Sequence, residues 1–173
     1  MIMSRDSNQL LLPANPLFIG FTLLATMVLE MVPLGRHPAA PDLLAVVLVF
    51  WVVYQPRRVG VGLGFVFGLL VDVHSGAVLG QHALAYTVLS FFALSAHRRL
   101  LWFSVPEQAL QILPLFALTH AVSLATRMLV GGMFPGWWII AAPLFEALLW
   151  APVVWLLLAP QRRAPDPDQN RPL

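Results

Sequence analysis

The sequence predicts an all-α integral membrane protein with six transmembrane helices and both termini in the cytoplasm. Three observations carry that prediction. Hydrophobic residues make up 59% of the 173 residues and charged residues only 10%, whereas soluble domains average about 25% charged. So few charges would leave the exterior of a water-exposed domain uncovered. Second, six apolar runs are separated by Pro, Gly and Arg breaks, and the length leaves room for about six crossings of about 20 residues each. Third, all ten basic residues are Arg, and eight fall on one side of the expected topology: Arg5, Arg57, Arg58, Arg98, Arg99, Arg162, Arg163 and Arg171. Positive charge near span ends resists translocation, so that side is the cytoplasm.

The first sixteen residues form a cytoplasmic segment, and Pro13 and Pro16 mark entry into the first run, Leu17 to Val32. Pro33, Gly35 and Pro38 break it in an outer loop that holds Arg36. The second run, Leu43 to Tyr54, has twelve residues. At ~1.5 Å per residue that is roughly 18 Å, short of the ~30 Å hydrocarbon core. It borrows the flanking Pro41-Asp42 or enters the membrane only partway. A short crossing is favoured, because without it the eight arginines would no longer share one side. The third run covers Val59 to Val73, followed by a glycine-punctuated connection from Gly76 to Gly80. The fourth covers Ala83 to Ala96, the fifth Pro106 to Val130 with Pro114 inside it, and the sixth Trp137 to Pro160. Together these give a transmembrane domain over residues 17–160. Residues 161–173 are polar and proline-rich, too poor in apolar surface to order themselves, and read as a flexible cytoplasmic tail. Trp51, Tyr54, Trp102, Trp137, Trp138 and Trp155 lie mostly towards run ends, where amphipathic rings favour the interface.

Several classes are excluded. The net charge is only +2 and the arginines are scattered in short groups, which leaves no electrostatic stripe for nucleic acid. There is no cysteine, hence no disulfide, thiolate metal site or Cys nucleophile. No cleavage site follows the first apolar run. The chain has no Gly-x-Ser-x-Gly elbow, His-Glu-x-x-His, phosphate loop or paired aspartates in adjacent runs, so catalysis is not expected. No cofactor is expected either. A zinc site from His74, His82, His120 and Glu30 lacks any ligand spacing.

The third run is the most specific stretch. Gly60, Gly64, Gly68 and Asp72 recur every four residues, followed by Gly76 and Gly80. A step of four drifts about 40° around a helix, so one face is nearly free of side chains. Small residues let helix backbones approach closely in lipid. This face either receives a partner's helix or packs inside the bundle, and the spacing does not choose between them. Asp72 is expected near the outer boundary, as a site residue or as a helix cap. Thr22, Thr26 and Glu30 form a stripe on the first run, and His120, Ser123 and Arg127 share a face of the fifth. Glu146 lies near the middle of the sixth. Buried carboxylates need partners, and the simplest reading pairs Glu30, Asp72 and Glu146 with His120 and Arg127; a proton or ion pathway would use the same residue types.

The stretch Tyr54-Gln55-Pro56-Arg57-Arg58-Val59-Gly60-Val61-Gly62, then Gly64-Phe65-Val66, Gly68, Asp72, Gly76, Leu79-Gly80 and Ala83-Leu84, resembles the bacterial rod shape-determining MreD family. Gln108-Ala109-Leu110, after an aromatic inner loop, is also similar to that family. Two features depart from its pattern: Arg57-Arg58, where His-Arg is expected, and the proline-rich tail. The resemblance implies a six-helix inner-membrane protein of the rod complex, or elongasome. It would bind MreC and work beside MreB, RodZ, and RodA with its penicillin-binding transpeptidase. It also implies a fold similar to the substrate-binding subunits of energy-coupling-factor transporters, and no enzymatic activity. Membrane lipid surrounds such a protein. A small-molecule-binding subunit of a vitamin-type transporter is the rival reading; an intramembrane protease using Ser75 or Asp72 is a third.

Overall fold

A computed structural model describes residues 14–32 and 40–161. Six helices follow one another: α1 (Pro16–Met31), α2 (Leu43–Tyr54), α3 (Val61–Ser75), α4 (Gln81–Leu100), α5 (Val105–Leu129) and α6 (Ala142–Leu158). There is no strand among the described residues. Arg5, Arg36, Arg162, Arg163 and Arg171 lie outside these residues, as do most of the two expected terminal segments.

Each helix begins where local chemistry permits. Asn15 accepts a hydrogen bond from Leu17 N (2.9 Å) ahead of Pro16, whose missing N–H costs nothing in a first turn. Asp42 caps α2 through Ala45 N at 2.7 Å. Ser104 and Glu107 form a reciprocal capping box on α5, with Ser104 N donating to Glu107 Oε2 at 2.8 Å. His97, Arg98 and Arg99 occupy the last turn of α4, where cations complement the helix dipole. The sixth run departs from the expected single helix. Trp137–Ala141 is a 3-10 segment and the α-helix starts only at Ala142. Pro143 explains it: the ring has no N–H for the Ile139 carbonyl and would crowd it in an α-helical turn.

The helix with no polar face lies at the centre. Every residue of α2 from Leu44 to Val53 is buried, as expected of a helix apolar all round. It packs against α1, α4 and α6, while α3 lies outside and rests chiefly on α4. The polarity of the molecule is inverted relative to a water-soluble domain. Leu17, Phe21, Val73, Leu110, Leu148 and Leu156 are among the exposed side chains, whereas Asp72, Gln108, Thr119 and Glu146 are buried. Two stretches, Val105–Leu129 and Trp137–Gln161, are long and apolar enough to cross a membrane, each 25 residues and so about 37 Å long. The helices α1, α2 and α3 are apolar but shorter.

Candidate functional site

A helix end that stops inside a bundle leaves amide N–H groups without partners, and burying one unpaired costs about 1–3 kcal/mol. At twelve residues, α2 stops in this way at its N-terminus, and acidic side chains gather there. Asp42 Oδ1 takes Ala45 N, and Glu30 Oε1, from the end of α1, takes Leu44 N at 2.7 Å. The Glu30 and Asp42 carboxyl groups lie within hydrogen-bonding reach of each other. The Tyr86 hydroxyl of α4 donates to Asp42 Oδ2 at 2.5 Å. From α6, Glu146 Oε1 accepts the Asp42 N–H at 3.0 Å and lies 2.7 Å from His120 Nε2 on α5. Glu146 Oε2 is buried without a hydrogen-bond partner among the described residues. Five helices thus meet in one knot, whose carboxyl oxygens take up amides that the α2 N-terminus would otherwise leave unpaired.

The other expected site residues divide between a close contact and a turn. A Cβ on Gly68 would stand 2.5 Å from His82 O and 2.6 Å from Ala83 N; one on Gly64 would stand 2.8 Å from Tyr86 O. The glycine face of α3 is therefore occupied by the backbone of α4. Gly60 has nothing within 4 Å of a hypothetical Cβ and serves as the α3 N-cap. Gly76 (φ 62°) and Gly80 (φ 100°) hold the left-handed conformations of the tight connection. Asp72 closes it. Its carboxylate accepts from Gly80 N (2.9 Å), His82 N (2.8 Å) and Ala83 N (3.3 Å), and lies 2.8 Å from His82 Nδ1. Asp72 is fully buried and acts as the cap of α4 from outside it.

Of the expected charge pairs, the structure brings together Glu146 and His120. Asp72 meets His82 instead, and Arg127 folds over Gly132 without an ion pair among the described residues. Thr26 bonds back to Thr22 O, and Thr22 Oγ1 receives Trp51 Nε1 at 2.9 Å, so neither hydroxyl joins Glu30. Ser123 Oγ accepts from Gln81 Nε2 at 2.9 Å. His74, His82, His120 and Glu30 do not converge; no group of three or more His, Asp or Glu among the described residues is arranged to hold a metal. Sequence reasoning missed Asp42 and Tyr86. An Asp directly before an apolar run is a helix-start signal, and a tyrosine within one needs a hydroxyl partner once buried. At the far end of α2, Gln108 Oε1 accepts from Trp150 Nε1 at 3.2 Å and faces the Tyr54 hydroxyl, and Arg58 Nη1 holds Ala14 O.

The model of the rod shape-determining protein MreD family matches residues 8–159. The chain belongs to the MreD family. A rod shape-determining protein MreD from Haemophilus influenzae is 31% identical over 153 residues, covering 83% of this chain and 91% of the relative. No solved structure matches. MreD proteins are membrane proteins with a rod shape-determining role, and the apolar exterior of this chain accords with that setting. The residues that carried the likeness in sequence now have physical tasks in an MreD fold: Arg58 ties the start of α3 to α1, Gly64 and Gly68 admit α4, Asp72 caps it, and Gln108 bridges α5 and α6.

Proposed function

We propose that this chain is a non-enzymatic scaffold of the bacterial inner membrane, binding MreC within the rod complex and supporting peptidoglycan synthesis and rod cell shape. RodA with its penicillin-binding transpeptidase, RodZ and MreB are its wider company. In this reading all six helices cross the membrane with both termini in the cytoplasm, in an arrangement similar to the substrate-binding subunits of energy-coupling-factor transporters. The observation that carries the reading is the use to which polar groups are put. Asp42, Asp72, Glu30 and Glu146 each hold a helix end or another helix, which leaves apolar helix surface as what the protein offers a partner.

Because α4 fills the Gly64–Gly68 face, a partner helix meets the opposite side of α3, where Phe65, Val66, Leu70 and Val73 are exposed. Val66→Trp and Leu70→Trp add bulk there without entering the bundle. The expected result is at least a tenfold loss of MreC co-purification in mild detergent, with helical circular dichroism unchanged. Undiminished capture of MreC by both variants removes α3 as the docking helix. Rod-shaped growth after deletion of the gene would sink the scaffold reading itself.

A further inference from the structure

We propose that the groove between α5 and the segment entering α6 is a binding site for one alkyl chain of a membrane phospholipid, seated over His120. The groove has a volume of about 330 Å³, with Leu113, Ala117, Ala121 and Leu124 on one wall and Ile139, Ile140, Pro143 and Leu144 on the other. Its origin is local. Ala117 and Ala121 are small, and the facing wall is formed by the 3-10 segment and the first turn of α6. His120 is the one polar side chain in the lining.

Size selects the occupant. Leu113 to Leu124 span eleven helical steps, roughly 16 Å, so the mean cross-section is about 20 Å². A helix about 10 Å across needs roughly 80 Å². One hydrocarbon chain in single file fits inside, whereas a helix of a partner or of a second copy would lie across the mouth and reach in only with side chains. Position agrees with size. The groove is continuous with the exposed apolar surface through Ile140 and Leu144, and at its mouth stand Trp137 (78% exposed) and Trp138 (67% exposed). Paired indoles of this kind favour the headgroup level, so a lipid anchored there directs its chain down towards His120.

The chain also covers a weak point. Behind His120 lies Glu146, with Oε1 at 2.7 Å and Oε2 buried with no hydrogen-bond partner among the described residues. Hydrocarbon over the imidazole keeps competing water away from the His120–Glu146 hydrogen bond and so holds its geometry.

The test uses the full chain purified in detergent. A phosphatidylglycerol with a photoreactive diazirine on one acyl chain is added, irradiated, and the adducts mapped by mass spectrometry. Label concentrated at Ala117, Ala121, Leu124 and Leu144, and competed away by excess unlabelled lipid, is the expected result. Uniform, non-saturable label over all exposed apolar faces overturns the proposal, as does a groove left unlabelled. Ala121→Trp fills the groove and is expected to lower retained lipid at least tenfold by native mass spectrometry; Leu110→Trp, on an exposed face of the same helix, leaves it unchanged. Equal lipid retention by both variants overturns the proposal. If Ala121→Trp fails to fold, the labelling pattern of the wild type decides alone.

Discussion

At the scale of single residues, buried acids in this chain serve as caps for helices they do not belong to. Asp72 satisfies three amides at the start of α4 across the turn. Asp72→Ala strands those amides together with His82 Nδ1, and is expected to cost about 3 kcal/mol, summing a lost cap and the unpaired donors. A thermal melt in detergent checks this; an unchanged midpoint contradicts the capping role. Glu146 separates shape from charge. Its Oε1 receives both the Asp42 N–H and His120, so Glu146→Gln keeps one acceptor oxygen and is expected to fold. Glu146→Ala leaves both donors buried and is expected to lose about 3 kcal/mol or more. The same melts rank the two, and equal losses would refute the acceptor argument. Asp72 as a site residue or a cap was a choice readable from the glycines around it. Glu30 and Glu146 were recognisable as costly groups in apolar runs, but their partners were not, because Asp42 stood in the sequence as the flank of a short run rather than as its cap.

At the scale of helices, the glycine ladder of α3 was legible and its occupant was not. Spacing of four marks a bare face, while the identity of what lies on it depends on helix rotation and tertiary order. The structure also divides the ladder into unequal tasks. Gly68→Ala would drive a methyl group into the α4 backbone at His82 and Ala83, and overpacking against backbone costs about 1–3 kcal/mol. Gly62→Ala, with open space around it in the first turn of the same helix, is expected to be neutral or to stabilise by up to ~1 kcal/mol through helix propensity. Comparing the two variants by thermal unfolding isolates packing from propensity; a destabilising Gly62→Ala together with a silent Gly68→Ala would reverse the assignment. The second helix teaches a related lesson. Its twelve residues are short of the hydrocarbon core, and shortness with no polar face is the pattern of a helix wrapped by others. Burial of α2 then obliges the bundle to bring acids to its N-terminus.

At the scale of the whole molecule, two polar knots fix the direction of the chain. The end of α1 (Glu30), the start of α2 (Asp42), the first half of α4 (Tyr86), the second half of α5 (His120) and the first half of α6 (Glu146) share one knot. The end of α2 (Tyr54) and the start of α5 (Gln108) share the other. Helices must therefore alternate in direction, and the 55–60 and 101–104 connections lie at one end while the 130–136 connection lies at the opposite end. That is the alternation the arginine distribution demands, since Arg57, Arg58, Arg98 and Arg99 then fall on one face. The absence of cysteine makes a direct test available. Single Cys replacements Arg57→Cys, Trp102→Cys and Met133→Cys sit at exposed positions. In intact spheroplasts a membrane-impermeant maleimide is expected to label only Met133→Cys, and permeabilisation is expected to expose the other two. Labelling of Arg57→Cys and Trp102→Cys from opposite sides would break the alternation, because α3 and α4 lie between the two positions and must return the chain to the side it left. Labelling of both from outside would preserve the fold but invert its orientation, placing eight arginines against the direction in which positive charge resists transfer.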